Sequence, residues 1–270
     1  MPLAVCATPI GNLDDVTLRV LRELGEADLV LCEDTRHTKL LLDRHSVRAR
    51  RLLSYHRHNE ARRTAEVLPR LRGGERVALA SDAGLPGIND PGARLVAAAV
   101  EEGLPVTVLP GPTAVATALV ASGLAGERYQ FLGYLPRSEG ALVALWNELG
   151  RWRHPTVAFE SPQRLPASLA SIARVEPERP IAVCRELTKR FEEVVRGTAA
   201  ELAQRFSEPP KGEITLVFGG AAAEARDGDE PAGLAAVAEL VAAGATRRTA
   251  ADVVSRLTGV SRNRLYSGSL

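Results

Sequence analysis

Two stretches of the chain gather side chains able to do chemistry. The first is Glu33-Asp34-Thr35-Arg36-His37, with His56, His58, Asn59 and Glu60 following some twenty residues later. Carboxylates and imidazoles in one neighbourhood can accept a proton from an attacking hydroxyl. The same groups can equally be ion-pair partners of Arg36. A metal centre is not expected, because the spacings match neither HExxH nor a Cys/His zinc set. The second stretch is VALASDAGLPGINDPG, residues 77–92. A short apolar run breaks into a loop rich in glycine and proline, and Ser81, Asp82, Asn89 and Asp90 supply polar groups where the run ends. Strand, glycine-rich loop and helix is how an open α/β sheet builds a ligand site at the carboxyl ends of its strands. The loop is neither GxGxxG nor a P-loop, so a pyrophosphate cradle is not expected. It also reads as a long turn in which Asp90 caps the next helix and Pro91 takes its first position. A serine hydrolase elbow, GxSxG, is absent. A group-transfer site fits better: a pocket of backbone groups beside a basic surface.

The elements that position these groups alternate. Strands are expected at 3–7, 28–32, 52–55, 77–80 and 106–109, and helices at 14–24, 38–45, 60–72 and 93–102, with Thr113 capping another to 122. That alternation predicts a mostly parallel sheet covered on both faces. From about residue 123 the elements shorten: strands at 130–134, 156–159, 181–184, 192–196 and 214–218, and helices at 141–149, 165–174 and 198–206. This is a second α/β region with mixed pairing, and a cleft between two such regions is the default ligand site. The expected organisation is an N-terminal α/β domain at 1–118, a second at 119–220, a small-residue acidic linker at 221–233 and a helical tail at 234–270. In the tail, TAADVVSRLTGVSRNRLY reads as a helix-turn-helix presenting Arg262, Arg264 and Tyr266 to nucleic acid. A packing tail reads the same sequence equally well.

The chain has 270 residues and a net charge of +1, which hides a strong asymmetry. Residues 36–72 hold eleven Lys/Arg against three acids, and residues 245–270 hold five arginines against Asp252 alone. Two basic runs suggest a polyanionic partner, although each also reads as a solvated helix face. No apolar run approaches the roughly 18 residues that span a bilayer. Neither a membrane segment nor a leader is expected. Cys6, Cys32 and Cys184 each sit in an apolar run, and read as reduced core residues of a cytoplasmic protein.

Six ordered motifs carry a resemblance to a known family. They are Ala7-Thr8-Pro9-Ile10-Gly11-Asn12-Leu13; Glu33-Asp34-Thr35-Arg36-His37-Thr38; Ser81-Asp82-Ala83-Gly84 with Ile88-Asn89-Asp90-Pro91-Gly92; Pro110-Gly111-Pro112-Thr113-Ala114; Arg185-Glu186-Leu187-Thr188-Lys189; and Lys211-Gly212-Glu213. The chain resembles the ribosomal-RNA-methylating branch of the tetrapyrrole (corrin/porphyrin) methylase superfamily from about residue 3 to 218, with a further match at 259–266. The resemblance implies a two-domain α/β fold, usually a homodimer, with S-adenosylmethionine as methyl donor. It implies transfer to the ribose 2′-oxygen of a cytidine in the decoding region of 16S rRNA, in the free RNA or the small ribosomal subunit. By motif position the donor is expected at Pro9, Ile10, Asp82, Ala83, Leu85, Thr113, Ala114, Phe159, Arg185 and Gly212. Asp34, Glu33, His37 and Arg36 are the expected catalytic group. Leu85 stands where the family usually has Thr, and Gln163 where His is common. Other superfamily members methylate small tetrapyrroles or a modified histidine of a protein, so the fold alone does not fix the acceptor. The competing expectations are a small-tetrapyrrole methylase and a non-catalytic nucleic-acid-binding regulator.

Overall fold

A computed structural model describes residues 2–221, 230–258 and 260–268. Most of the expected linker and the turn at Gly259 therefore lie outside the described residues. The chain divides into a large unit, Met1–Trp146 with His154–Gly219, and a small one, Asn147–Arg153 with Gly220–Leu270.

The large unit holds two five-stranded sheets. In the first, β1 (Leu3–Cys6), β2 (Leu29–Cys32), β3 (Leu52–Ser54), β4 (Val77–Ala80) and β5 (Val106–Leu109) are ordered β3-β2-β4-β1-β5, and every pair is parallel. Strands buried on both faces read as continuous apolar runs, as LAVC, LVLC and VALA do. Alternate residues serve opposite layers. Ala4, Cys6, Val30 and Ala78 pack on Val20 and Leu24 of α1 (Leu18–Glu26) and on Leu41 and Leu42 of α2 (Thr35–Arg44). Leu3, Leu29, Leu31 and Leu79 pack on Val67 and Leu71 of α3 (Glu60–Arg72) and on Leu95 and Ala99 of α4 (Ala93–Glu101). The chain moves outward to β3 with helices on one face, then returns with helices on the other. Its polar loops after β1, β2 and β4 consequently share one sheet edge.

Two helix starts differ from the sequence reading. Residues 13–15 form a separate 3-10 turn, and α1 begins only after Thr17, whose hydroxyl accepts from the Val20 amide. α2 begins at Thr35 instead of 38, because the Asp34 carboxylate caps it by accepting from the Arg36 amide at 2.8 Å.

The second sheet is mixed, as expected. It comprises β6 (Gln130–Tyr134), β7 (Thr156–Glu160), β8 (Pro180–Arg185), β9 (Glu193–Thr198) and β10 (Ile214–Phe218), in the order β6-β7-β10-β8-β9. Only β6 and β7 run parallel; β10 pairs antiparallel with both β7 and β8, and β9 with β8. The apolar helix α5 (Ala114–Ser122) lays Val115, Ala118 and Leu119 on Val157, Ala182 and Val217, and Ile10 and Leu187 complete that layer. Trp146 of α6 (Glu139–Leu149) stacks on Phe218 at 5.3 Å between ring centres and donates to Ser171 of α7 (Leu165–Val175). α8 (Ala199–Arg205) opens with Thr198 and Glu201 capping each other's backbone.

In the small unit, α9 (Glu230–Ala242), α10 (Arg247–Thr258) and α11 (Arg262–Gly268) close around Val237, Ala250, Ala251, Val254, Val260 and Leu265. Arg262 pairs with Asp252, and Arg247 lies 4.9 Å above the Tyr266 ring. Arg262 and Tyr266 thus also brace this small bundle.

Candidate active site

The loop after β4 is pinned from below. Thr8 and Gly84 exchange backbone hydrogen bonds at 2.8 and 3.0 Å, and the Thr8 hydroxyl donates to the Ser81 carbonyl. The loop ends at Gly92, whose φ of +138° is open to glycine alone and whose nitrogen donates to Glu60. Gly92, not Asp90, is the cap of α4, so the expected capping role of Asp90 and Pro91 is corrected. A backbone turned this far at Gly92 carries the chain into α4 without a side-chain cap. Asn89, just before Asp90, is also left-handed at φ +64°, a strain that structures hold where a site over-determines it.

Over this loop and the matching ends of the second sheet lies a cavity of about 510 Å³, within the roughly 300–1,000 Å³ usual for small-molecule sites. Seven of the ten expected donor residues line it: Ile10, Ala83, Leu85, Thr113, Ala114, Phe159 and Gly212. Pro9 and Asp82 line an adjoining cavity of about 140 Å³, which shares Ile10, Ala83 and Glu213 with the larger one. Arg185 lines neither. Its guanidinium donates to Glu193 and to the Lys211 carbonyl, beside Gly212. Thr113 stands at the cap position of α5, yet its hydroxyl makes no capping bond.

The expected catalytic group is more dispersed. Asp34 is closed: Arg36 grips its carboxylate through Nε and Nη2, the latter at 2.6 Å. That guanidinium, with the capped amide, holds the Asp34 carboxyl down at about 2. Asp34 also donates its own amide to Asp82 Oδ1 at 3.0 Å. His37 reaches the smaller cavity, beside Asp82. Glu33 lines neither cavity, and burial together with Asp82 raises its pKa. Arg36 is exposed.

Among the cavity residues outside both expected sets are three carboxylates and a tyrosine. Asp90 has its pKa pushed up to about 6 by burial and by Glu33 and Asp82, with Arg57 opposing. Tyr134 lines the cavity, with its ring 5.7 Å from Phe159. Glu160 is fully buried and saturated, accepting from the Ser161 amide, Arg164 and the Ser168 hydroxyl. Glu213 is tied to Lys189, which also donates to Glu186. The polar run Ile88-Asn89-Asp90 was visible in the sequence. Its closeness to β6, where Asn89 lies against Gly133, was not.

All three thiols are buried, as the sequence suggests, and burial raises each, Cys6 to about 12 and Cys184 to about 11.

An all-parallel sheet whose strand-end loops meet a second, mixed sheet over one cavity defines an α/β fold with a site of small-molecule size. The family model for Tetrapyrrole (Corrin/Porphyrin) Methylases matches residues 2–203. A ribosomal RNA small subunit methyltransferase I from Mesorhizobium japonicum is 43% identical, over 98% of this chain and 90% of the relative. Its counterpart from Synechocystis is 41% identical, over 99% and 97%. The chain belongs to the tetrapyrrole methylases and, within them, to the ribosomal RNA small subunit methyltransferase I family. Among solved structures, the methyltransferase CobJ superposes with a TM-score of 0.62 at 21% identity, covering 82% of this chain and 94% of that one. Uroporphyrin-III C-methyltransferase from Thermus thermophilus, complexed with S-adenosylhomocysteine, gives 0.55 at 20%, covering 80% and 96%. At such identities these structures share the fold.

Proposed function

We propose that this chain is an S-adenosylmethionine-dependent methyltransferase of 16S rRNA, acting on the ribose 2′-oxygen of a cytidine in the decoding region. The observation that carries the reading is the large cavity, where seven of the ten expected donor residues meet although they come from both sheets. Its chemistry suits the donor. Ile10, Leu85, Val115 and Phe159 offer apolar cover, while Asp82 and Glu213 give an acidic surround for a cation. When bound, S-adenosylmethionine supplies an electrophilic methyl carbon on a positively charged sulfur.

The chain's own residues would bind and orient. Ile10, Ala83, Leu85, Thr113, Ala114, Phe159 and Gly212 hold the donor directly, with Pro9 and Asp82 at its edge. Arg185 acts through Lys211, fixing the bend before β10 that presents Gly212. The Asp34 amide holds Asp82 in place, and Arg36 holds Asp34. His37 orients groups beside Asp82. Pre-organisation of this kind supplies much of the rate in a displacement reaction. Exposed Arg36, Lys39, Arg57 and His58 offer a basic surface to phosphates.

The acceptor is RNA and not a tetrapyrrole. Support comes from relatives above 40% identity named for ribosomal RNA, against tetrapyrrole methylases near 20%. No helix among the described residues is long and apolar enough to cross a membrane. We place the enzyme in the cytoplasm as a homodimer, with exposed Val108 on the edge strand β5 and Val120 on α5 available for pairing. The four-part organisation, 1–118, 119–220, 221–233 and 234–270, belongs to the same proposal, with the tail as an additional RNA contact.

The test offers labelled S-adenosylmethionine with either small subunits lacking the modification or a reduced tetrapyrrole. Label in RNA, falling steeply as salt rises, is expected. Label in the tetrapyrrole alone would overturn the reading.

A further inference from the structure

The cavity contains one carboxylate with nothing to hold. Asp90 lines it, and its oxygens make no hydrogen bond or ion pair among the described residues. The other two acids of that lining are engaged: Glu160 is saturated by three donors, and Glu213 is bound to Lys189 with most of its side chain in solvent. Asp34 is chelated by Arg36 and lines neither cavity. A group that accepts a proton needs an uncommitted lone pair within reach of the acceptor atom.

We propose that Asp90 is the catalytic residue that takes the proton from the attacking ribose hydroxyl. The assignment rests on the RNA 2′-O-methylation reading and names the base within that same site. As the reaction proceeds, a lone pair of the 2′-oxygen forms the new oxygen–carbon bond. The methyl–sulfur bond breaks with its pair left on sulfur, and the hydroxyl proton finishes on an Asp90 oxygen. No further reactant is needed.

The surroundings fit that duty. Glu33 at the end of β2 and Asp82 at the end of β4 raise the affinity of Asp90 for a proton, Arg57 after β3 lowers it, and Tyr134 on β6 is coupled to its charge. The balance places Asp90 at about 6, so it is ionised at neutral pH yet a stronger base than an ordinary aspartate. The φ of +64° at Asn89 and the glycine at Gly92 fix the backbone on both sides of it.

The experiment measures single-turnover methylation of small subunits from pH 5 to 8 for the wild type, Asp90→Asn, Glu33→Gln and Asp34→Asn. Donor affinity is read by calorimetry and RNA affinity by filter binding. The wild-type rate should rise with pH and level off above about 6. Asp90→Asn should lose roughly 100-fold or more, lose the pH-dependent limb, and bind donor and RNA within about twofold of wild type. Retained donor binding shows that this variant is folded. Glu33→Gln should move the limb to lower pH, since it removes a like charge, whereas Asp34→Asn should leave the limb in place. Asp90→Asn within about threefold of wild type, or a limb that persists in it, would overturn the assignment and leave the methylation reading standing. Donor binding by the wild type without any RNA methylation would overturn both.

Discussion

Asp34 and Asp90 are the same residue type at the same edge of one sheet, and their surroundings drive them in opposite directions. Asp34 caps a helix, is gripped by Arg36 and sits at about 2; Asp90 caps nothing, has no partner among the described residues and sits at about 6. Glu160 repeats the first pattern in the second sheet, buried and saturated. The difference teaches that motif membership does not assign chemistry. A carboxylate whose lone pairs are spent on the scaffold positions its neighbours, whereas one left open in a cavity can work. Leaving it open costs stability, which is common at functional sites.

The largest effect should come from undoing a closed carboxylate. Glu160→Ala removes the counter-charge of Arg164, which keeps only the Leu135 and Pro136 carbonyls, and leaves the Ser168 hydroxyl without its acceptor. Breaking a buried pair this way costs about 3 kcal/mol, measurable as a lower midpoint in urea. A change below about 1 kcal/mol would mean that Glu160 is not held as tightly as its partners suggest.

Asp34→Ala removes an N-cap and should lower the midpoint in urea, by less than Glu160→Ala does. Turnover should fall less than about tenfold, through loosened Asp82, with donor still bound. Asp34→Asn can still cap, so it should recover most of the stability. A 100-fold loss in Asp34→Asn would erase the contrast with Asp90.

Asp90→Asn should behave in the opposite sense. A pKa raised in the folded state means that stability is fully present below the unfolded value, near 4, and is lost as pH rises through about 6. The variant does not titrate and escapes that loss. It should match wild type at pH 4 and be more stable at pH 8 by about 1 kcal/mol, a figure already reduced for partial exposure. Equal destabilisation at both pH values would show that Asp90 has a structural partner after all.

The smallest effect is expected at the thiols. Cys6, Cys32 and Cys184 are buried with raised pKa values, so a thiol reagent at pH 8 should modify none until denaturant is added. Fast reaction of any of them would mean that the core near the cavity opens.

Much of the fold was legible because buried parallel strands announce themselves as short apolar runs. LAVC, LVLC and VALA all emerged at their expected places, and the mixed second sheet followed from shorter, less regular elements. Caps were harder to read. Asp34 looked like part of a reactive loop because sequence alone does not show whether a polar side chain bonds its own helix. Asp90-Pro91 looked like a cap and first-turn pair, but Gly92 at φ +138° takes that position. Arg185 stood within a motif, and only the structure shows its guanidinium turned to Glu193 and Lys211. Partner choice across a sheet edge brings together residues more than a hundred positions apart, such as Asp90 and Glu213 in the lining of one cavity, which no local pattern encodes.

The atom that receives the methyl group separates a ribose methylase from a base methylase most directly. Small subunits lacking the modification would be incubated with the enzyme and labelled donor, digested to nucleosides and resolved by mass. Label on 2′-O-methylcytidine, with none on the base, is the predicted result, because an open carboxylate is needed for a hydroxyl acceptor. Label confined to a base ring would contradict the account, removing both the ribose acceptor and the duty assigned to Asp90.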